Sequence, residues 1–233
     1  MSAKLGTLNF ILADSALELV PEQIANHPSV LNHARRRRKR PTKILLDRAV
    51  HHSAMNKLLN ASRRGRPDII HLTLLNLLCS PLNRRGFLKI YVHTNQNKVV
   101  YVDRAVRLPK NYNRFVGLME QLFEEGRVPP KGAPLLSLKD EKLPELIINE
   151  VRPSKLVVFT TLGKPTPLQE VCRSIVNEAN PAVLVGGFPR GHFSKETLEL
   201  ASEAVKVYEE ALEAWVIAAR VVHSYELALG INF

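Results

Sequence analysis

Three glycines, Gly186, Gly187 and Gly191, stand in VLVGGFPRGHF (residues 183–193), where a short apolar run enters a loop. Glycines after a strand let backbone approach a ligand, and Gly186 and Gly191 have the spacing of a phosphate-binding loop. That loop also needs a Lys followed by Ser or Thr, because the ammonium reaches the outer phosphates and the hydroxyl holds magnesium. His192 and Phe193 supply neither. A dinucleotide fingerprint needs GxGxxG after the first strand of its unit and an acidic residue about twenty positions on. GGFPRG lacks that pattern and comes late in the chain. Glycines alone also permit a tight strand exit with no ligand.

The chain of 233 residues carries 33 Lys and Arg against 22 Asp and Glu, a formal charge of +11. Such a field draws polyanions, although a generally basic proteome gives the same total, so the distribution has to decide. Six consecutive cations, Arg35 to Arg40, lie between a polar segment and KILLD. The run reads as a basic connector, either solvated and mobile or paired with phosphates. Arg63, Arg64 and Arg66 precede Pro67 and Asp68 at the entrance to the helix-length run IIHLTLLNLL. There Asp68 caps the helix, orients Arg66 or takes a proton. Arg107, Lys110 and Arg114 are interleaved with Tyr112 and Phe115. This is the composition of an RNA surface, where cations meet phosphates and an aromatic ring stacks on a base, and equally of surface cations over core anchors.

Other chemistries find little support. No apolar run approaches the roughly 20 residues that cross a bilayer, and the N-terminal MSAKLGTLNFILADSALELVP does not read as an export signal, since Asp14 and Glu18 interrupt it. The expected location is the cytoplasm. Cys79 and Cys172 stand alone, and the adjacent His51 and His52 point apart on a helix, so no metal is expected.

These residues have to be held by elements that the pattern outlines. It predicts a strand over LGTLNFILAD, a helix around PEQIANHP, the connector, and a helix through HHSAMNKLL. The strands FLKIYVHT and KVVYVDRAV flank Asn95-Gln96-Asn97 as a hairpin, before a helix over 112–125 and the loop GRVPPKGAP. From Leu135 strands KLVVFTT and AVLVGG alternate with helices, and one long helical stretch closes the chain. Nearly unalternating strands between helices imply an α/β fold, a mostly parallel sheet covered by helices. Ligands of such sheets lie beyond the strand carboxyl ends, here FTTLGKP and VGGFPRG.

Four segments together, RPDIIHLTLLNLLCSPLNRRG, VRLPKNYNRFVGLMEQL, VGGFPRG and ARVVHSYE, resemble the ribosomal-RNA pseudouridine methyltransferases of small-subunit biogenesis. These belong to the SPOUT superfamily, and the shorter, basic form is similar to its archaeal branch. The resemblance spans the chain after the basic run, with residues 1–40 as an N-terminal extension and 135–233 as a donor-binding half of one SPOUT-like domain. It implies a C-terminal trefoil knot, a homodimer, and S-adenosyl-L-methionine as methyl donor. The reaction it implies is methylation of ring nitrogen 1 of a pseudouridine in small-subunit rRNA, with ribosomal proteins or assembly factors as further partners. Carried onto this sequence, the donor pocket comprises Thr160, Thr161, Gly186, Gly191 and the segment Val207, Tyr208, Glu209, Glu210, Ala211, Leu212. Ala211 stands where the family usually has proline, and Glu209-Glu210 replace more neutral polar residues. Arg66, Arg107, Lys110 and Arg114 fall to RNA contact, Lys110 where arginine is common, and Arg66 with Asp68 to the catalytic motif. Two rivals share the fold: a non-catalytic RNA-binding assembly factor, and a methyltransferase acting on tRNA or on unmodified uridine.

Overall fold

The run Leu8–Ser15 is apolar on both faces, as a strand covered from both sides must be. In the computed structural model, which describes residues 6–231, it forms β1. β1 pairs in parallel with β2 (Leu88–Thr94) on one side and β7 (Pro181–Gly186) on the other. Residues 8–15 are therefore the middle of the sheet and not part of an extension. The buried Asn9 amide fixes the register by donating to Asn180 Oδ1 at 2.8 Å and to the Pro181 carbonyl at 3.0 Å.

The eight-stranded sheet also contains β3 (Lys98–Val102), β4 (Arg127–Val128), β5 (Leu136–Asp140), β6 (Lys155–Pro165) and β8 (Glu203–Lys206). Its order is β4-β5-β3-β2-β1-β7-β6-β8. The five strands from β2 to β8 run parallel, and the β2–β3 hairpin turns the other end antiparallel. This is the mostly parallel α/β sheet that the alternation implied.

Helices cover both faces. Leu8, Phe10, Leu12, Val157, Val183 and Val205 point to one side, against α3 (Pro67–Cys79), α5 (Tyr112–Glu125), α7 (Leu168–Ile175) and α9 (Ala214–Ala228). Ile11, Ala13, Val158 and Leu184 point to the other. They meet α6 (Leu143–Glu145), the π-helical turn Leu146–Val151 that continues it, and Phe193. The remaining helices are α1 (Pro28–Arg37), α2 (Arg48–Met55), α4 (Pro81–Arg84) and α8 (Lys195–Glu199). Val20, Val30, Ile44 and Met55 build a separate small core under α1 and α2.

Three local expectations change. PEQIANHP holds one 3-10 turn, Glu22–Ile24, and the helix starts at Pro28, capped by the His27 ring, which accepts from the Ser29 amide at 3.3 Å. The basic run is no connector, because Arg35, Arg36 and Arg37 form the last turn of α1. The closing helical stretch is interrupted by β8, which pairs with β6.

Candidate active site

The carboxyl ends of β6, β7 and β8 open into a cavity of about 210 Å³. Thr160 and Thr161 reach it because β6 leaves its partner: Phe159 pairs with Val205, the chain loops out, and Lys164 returns to pair with the same residue. Gly163 makes the loop possible, since a Cβ there would lie 2.5 Å from the backbone of Val205.

The loop after β7 uses its glycines differently. A side chain on Gly187 would overlap Ser15, and Gly187 is bonded on both sides, donating to Ala13 at 2.8 Å and accepting from Ala16 at 2.8 Å. Gly191 has φ +92°, which L side chains rarely adopt. Gly186 contributes backbone to the cavity wall. Arg63 fastens this loop: it donates to the His192 carbonyl and its guanidinium lies 3.9 Å from the Phe188 ring centre.

Of the ten residues assigned to donor binding, Thr160, Thr161, Gly186, Gly191, Val207, Tyr208, Glu210, Ala211 and Leu212 line the one cavity; Glu209 does not. Sequence reasoning passed over Phe188, Arg190, His192, Lys206, Glu213 and Ile69, which line it too. Arg190 and His192 sat inside the quoted glycine motif. Ile69 could be found only from the fold, because it comes from α3, whose first turn holds Asp68.

That contact brings the arginine motif to the cavity. Arg66 is the N-cap of α3, its amide donating to the Ala16 carbonyl at 3.1 Å at the end of β1. Asp68 caps no backbone group among the described residues. It accepts side-on from Arg66, Nε to Oδ1 at 2.8 Å and Nη2 to Oδ2 at 2.7 Å. Both side chains are about a third exposed, at 33% and 37%, so the pair adds only ~0–1 kcal/mol to stability and its effect is to aim the guanidinium. The bond to Asp68 raises the Arg66 pKa, with smaller help from Glu213 on the cavity rim and from Asp47.

Arg107, Lys110 and Arg114 are exposed and take part in no ion pair among the described residues. Their backbone is fixed from beneath, since Val106 and Leu108, on either side of Arg107, are buried. Asn111 caps α5, accepting from the Arg114 amide at 3.1 Å. His71 of α3 stacks on Phe115 with ring centres 4.4 Å apart, and its Nε2 donates to the Pro109 carbonyl at 2.8 Å. Tyr112 donates to Asp47 Oδ2 at 2.6 Å, and burial together with that carboxylate pushes its phenol well above the ordinary range. His71 also lies against Tyr112, with ring centres 6.0 Å apart, so the start of α5 packs beside α3. Arg64 belongs elsewhere: it is spent on the buried Glu18, its Nε donating to Oε1 at 2.9 Å.

A sequence model described as EMG1/NEP1 methyltransferase matches residues 10–226. The chain belongs to this family. A Thermococcus sibiricus protein named ribosomal RNA small subunit methyltransferase Nep1 is 46% identical over 222 residues, covering 95% of this chain and 99% of its own. The Pyrococcus furiosus protein of the same name is 46% identical over 221 residues, covering 94% and 96%. Among solved structures, Archaeoglobus fulgidus Nep1 bound to S-adenosylhomocysteine superposes with a TM-score of 0.83 at 38% identity, covering 97% of this chain and 99% of that one. The EMG1/NEP1 fold thus extends over nearly the whole chain, β1 and the α1–α2 unit included.

Proposed function

We propose that this EMG1/NEP1 chain transfers a methyl group from S-adenosylmethionine to ring nitrogen 1 of a pseudouridine in small-subunit ribosomal RNA. The observation that carries the reading is the juxtaposition of two surfaces. A glycine-walled cavity lies at the strand ends, and Ile69 joins its wall to the Arg66–Asp68 pair beside an exposed row of cations. The names of the relatives and the S-adenosylhomocysteine held by the Archaeoglobus protein support it.

The cavity suits such a donor. Phe159, Val185, Leu212 and Ile217 give an apolar wall for a purine, Thr160 and Thr161 add hydroxyl-bearing residues, and Glu210 and Glu213 with Arg190 and Lys206 give charges of both signs for the donor's ammonium and carboxylate. When bound, S-adenosylmethionine supplies an electrophilic methyl on a sulfonium sulfur. Transfer would form the bond from N1 to the methyl carbon and break the methyl–sulfur bond, its electrons staying on sulfur, with the N1 proton passing to water.

The residues of this chain position the two reactants, which alone can lower a barrier by several kcal/mol, on the order of 7–11 for ideal alignment. Arg107, Lys110 and Arg114 hold the RNA backbone. Arg66 uses Nε and Nη2 on Asp68, and its Nη1, with no partner among the described residues, is free for the nucleotide. Asp68 accepts from Arg66 through both oxygens, which fits it to orient the guanidinium.

The same reading includes a homodimer and a threaded C-terminal half. Leu162 and Tyr208 beside the cavity are 64% and 56% exposed, an apolar surface that a second copy would cover. β8 lands across β6 from β7, after which α9 crosses back to pack on α3 and α7.

The test uses methyl-labelled donor and two RNA hairpins that differ only in uridine or pseudouridine at the target. Label is expected on pseudouridine alone. Donor binding without transfer to any hairpin would make the chain an RNA-binding assembly factor, and transfer to uridine would assign a different nucleoside.

A further inference from the structure

Six adjacent cations repel one another, and folding three of them into one helical turn brings their charges closer still. α1 relieves only part of this. Glu120 of α5 is fully buried, and its carboxylate takes Arg37 at 2.6 Å and Lys39 at 2.9 Å while its other oxygen accepts from the Leu45 amide at 3.2 Å. Arg35, Arg36, Arg38 and Arg40 remain exposed, with no ion pair among the described residues. Arg38 closes the helix in the left-handed conformation, φ 53°, where glycine would be less strained. Four unneutralised guanidiniums are thus displayed on a helix end that is anchored from the inside.

The anchor also fixes where they lie. Glu120 follows Arg114 by six residues on α5, about 9 Å along the helix axis. The end of α1, with the four arginines on it, is therefore held against α5 beyond Arg114. α1, PSVLNHARRR, has no Phe, Tyr or Trp, so it offers neither a platform for stacking bases nor an aromatic anchor for a protein partner.

We propose that Arg35, Arg36, Arg38 and Arg40 form a second RNA-binding surface, which grips the phosphate backbone of the stem flanking the target nucleotide without reading its bases. This rests on the reading of RNA as the substrate. The fold supplies the spacing: the cations at the start of α5 meet the target loop, and the end of α1 meets the stem beyond it.

The experiment compares wild type with a variant carrying Arg35→Gln, Arg36→Gln, Arg38→Gln and Arg40→Gln, leaving Arg37 and Lys39 on Glu120. Binding is measured against salt for two hairpins with the same loop, one with a short stem and one with the stem extended. Wild type is expected to bind the extended hairpin more tightly. The variant should lose that advantage, by at least about tenfold at low salt, and its log–log salt slope on the extended hairpin should flatten by roughly 3 for four lost contacts. Affinity for the short hairpin should stay nearly constant. Equal wild-type affinity for both hairpins, or an unchanged slope in the variant, overturns the proposal. So does an unchanged RNA slope with loss of binding to polyglutamate or to anionic vesicles, which would assign the surface to a protein or a membrane. If the fourfold variant does not fold, Arg36→Gln and Arg40→Gln singly should each flatten the slope by about one, and a flat response in both overturns the idea. Failure of wild type to bind either hairpin would instead sink the RNA reading itself.

Discussion

His71 Nε2 donates to the Pro109 carbonyl at 2.8 Å, and this one bond ties the helix that carries Asp68 to the loop that carries Arg107 and Lys110. A carbonyl only accepts, so the ring proton must sit on Nε2. His71→Phe keeps the stack on Phe115 and loses the bond. We expect RNA affinity about tenfold weaker with donor affinity unchanged, because displacing the cations by a fraction of an ångström misaligns the substrate. His71→Gln, which restores a donor, should recover part of the loss. Filter binding and donor titration calorimetry together check this, and parallel loss of both ligands would mean general unfolding.

The side-on bond between Arg66 and Asp68 separates two roles for the carboxylate. If Asp68 orients Arg66, Asp68→Asn keeps one accepting oxygen and should lower kcat by about tenfold, while Arg66→Ala and Asp68→Ala lower it much further. The pH–rate profile of the Asn variant should keep the wild-type shape. Disappearance of its acid limb with complete loss of rate would make Asp68 the general base.

Gly163 tests the loop that delivers Thr160 and Thr161. Gly163→Ala would press a methyl into Val205 and force β6 and β8 apart, at a cost of ~1–3 kcal/mol. S-adenosylhomocysteine affinity should fall about tenfold or more, alongside a lower Tm. A reduced Tm with unchanged affinity would show that the threonines do not depend on this crossing.

Acid stability has a source in the α1–α2 unit. The Asp47 amide donates to His51 Nδ1 at 3.1 Å, so the His51 proton lies on Nε2, which faces His33 Nδ1 at 2.9 Å. Burial, then the neighbouring His33, lowers the His51 pKa to about 4 against the opposing Asp47. The unfolded chain takes up this proton near pH 6.5 and the folded one only near 4, so the unfolded state binds more protons between those values. Stability is therefore full above pH 6.5 and falls as pH drops toward 4, by up to about 3 kcal/mol from this residue. His33 and His93, also lowered mainly by burial, act in the same direction. Urea unfolding at pH 7 and pH 5 should show the decline, and His51→Gln should flatten it.

Legibility in the sequence followed the range of the forces involved. β7 and the hairpin around Asn95-Gln96-Asn97 were readable because apolar runs and turn residues act locally. Part of the cavity wall was readable through the family resemblance, which supplied Thr160, Thr161, Gly186, Gly191 and most of 207–212, but of residues 186–193 it named only the two glycines. β8 was not, since Glu203–Lys206 is four residues inside a helix-like stretch and becomes a strand only by pairing with β6. Nor was α1: six cations look unfoldable until Glu120, some eighty residues away, is buried beneath them. Ile69 in the cavity wall and Arg64 on Glu18 depend in the same way on contacts across the fold.

The central position of β1 also sets a timetable. Leu8–Ser15 is made well before its partner β7, which lies about 170 residues later, and Tyr225, whose hydroxyl holds the Gly6 carbonyl at 3.0 Å, is later still. At ordinary synthesis rates the chain waits roughly ten to thirty seconds with one side of its middle strand unpaired. β1 thus gains its second neighbour only after β2 through β6 have been made.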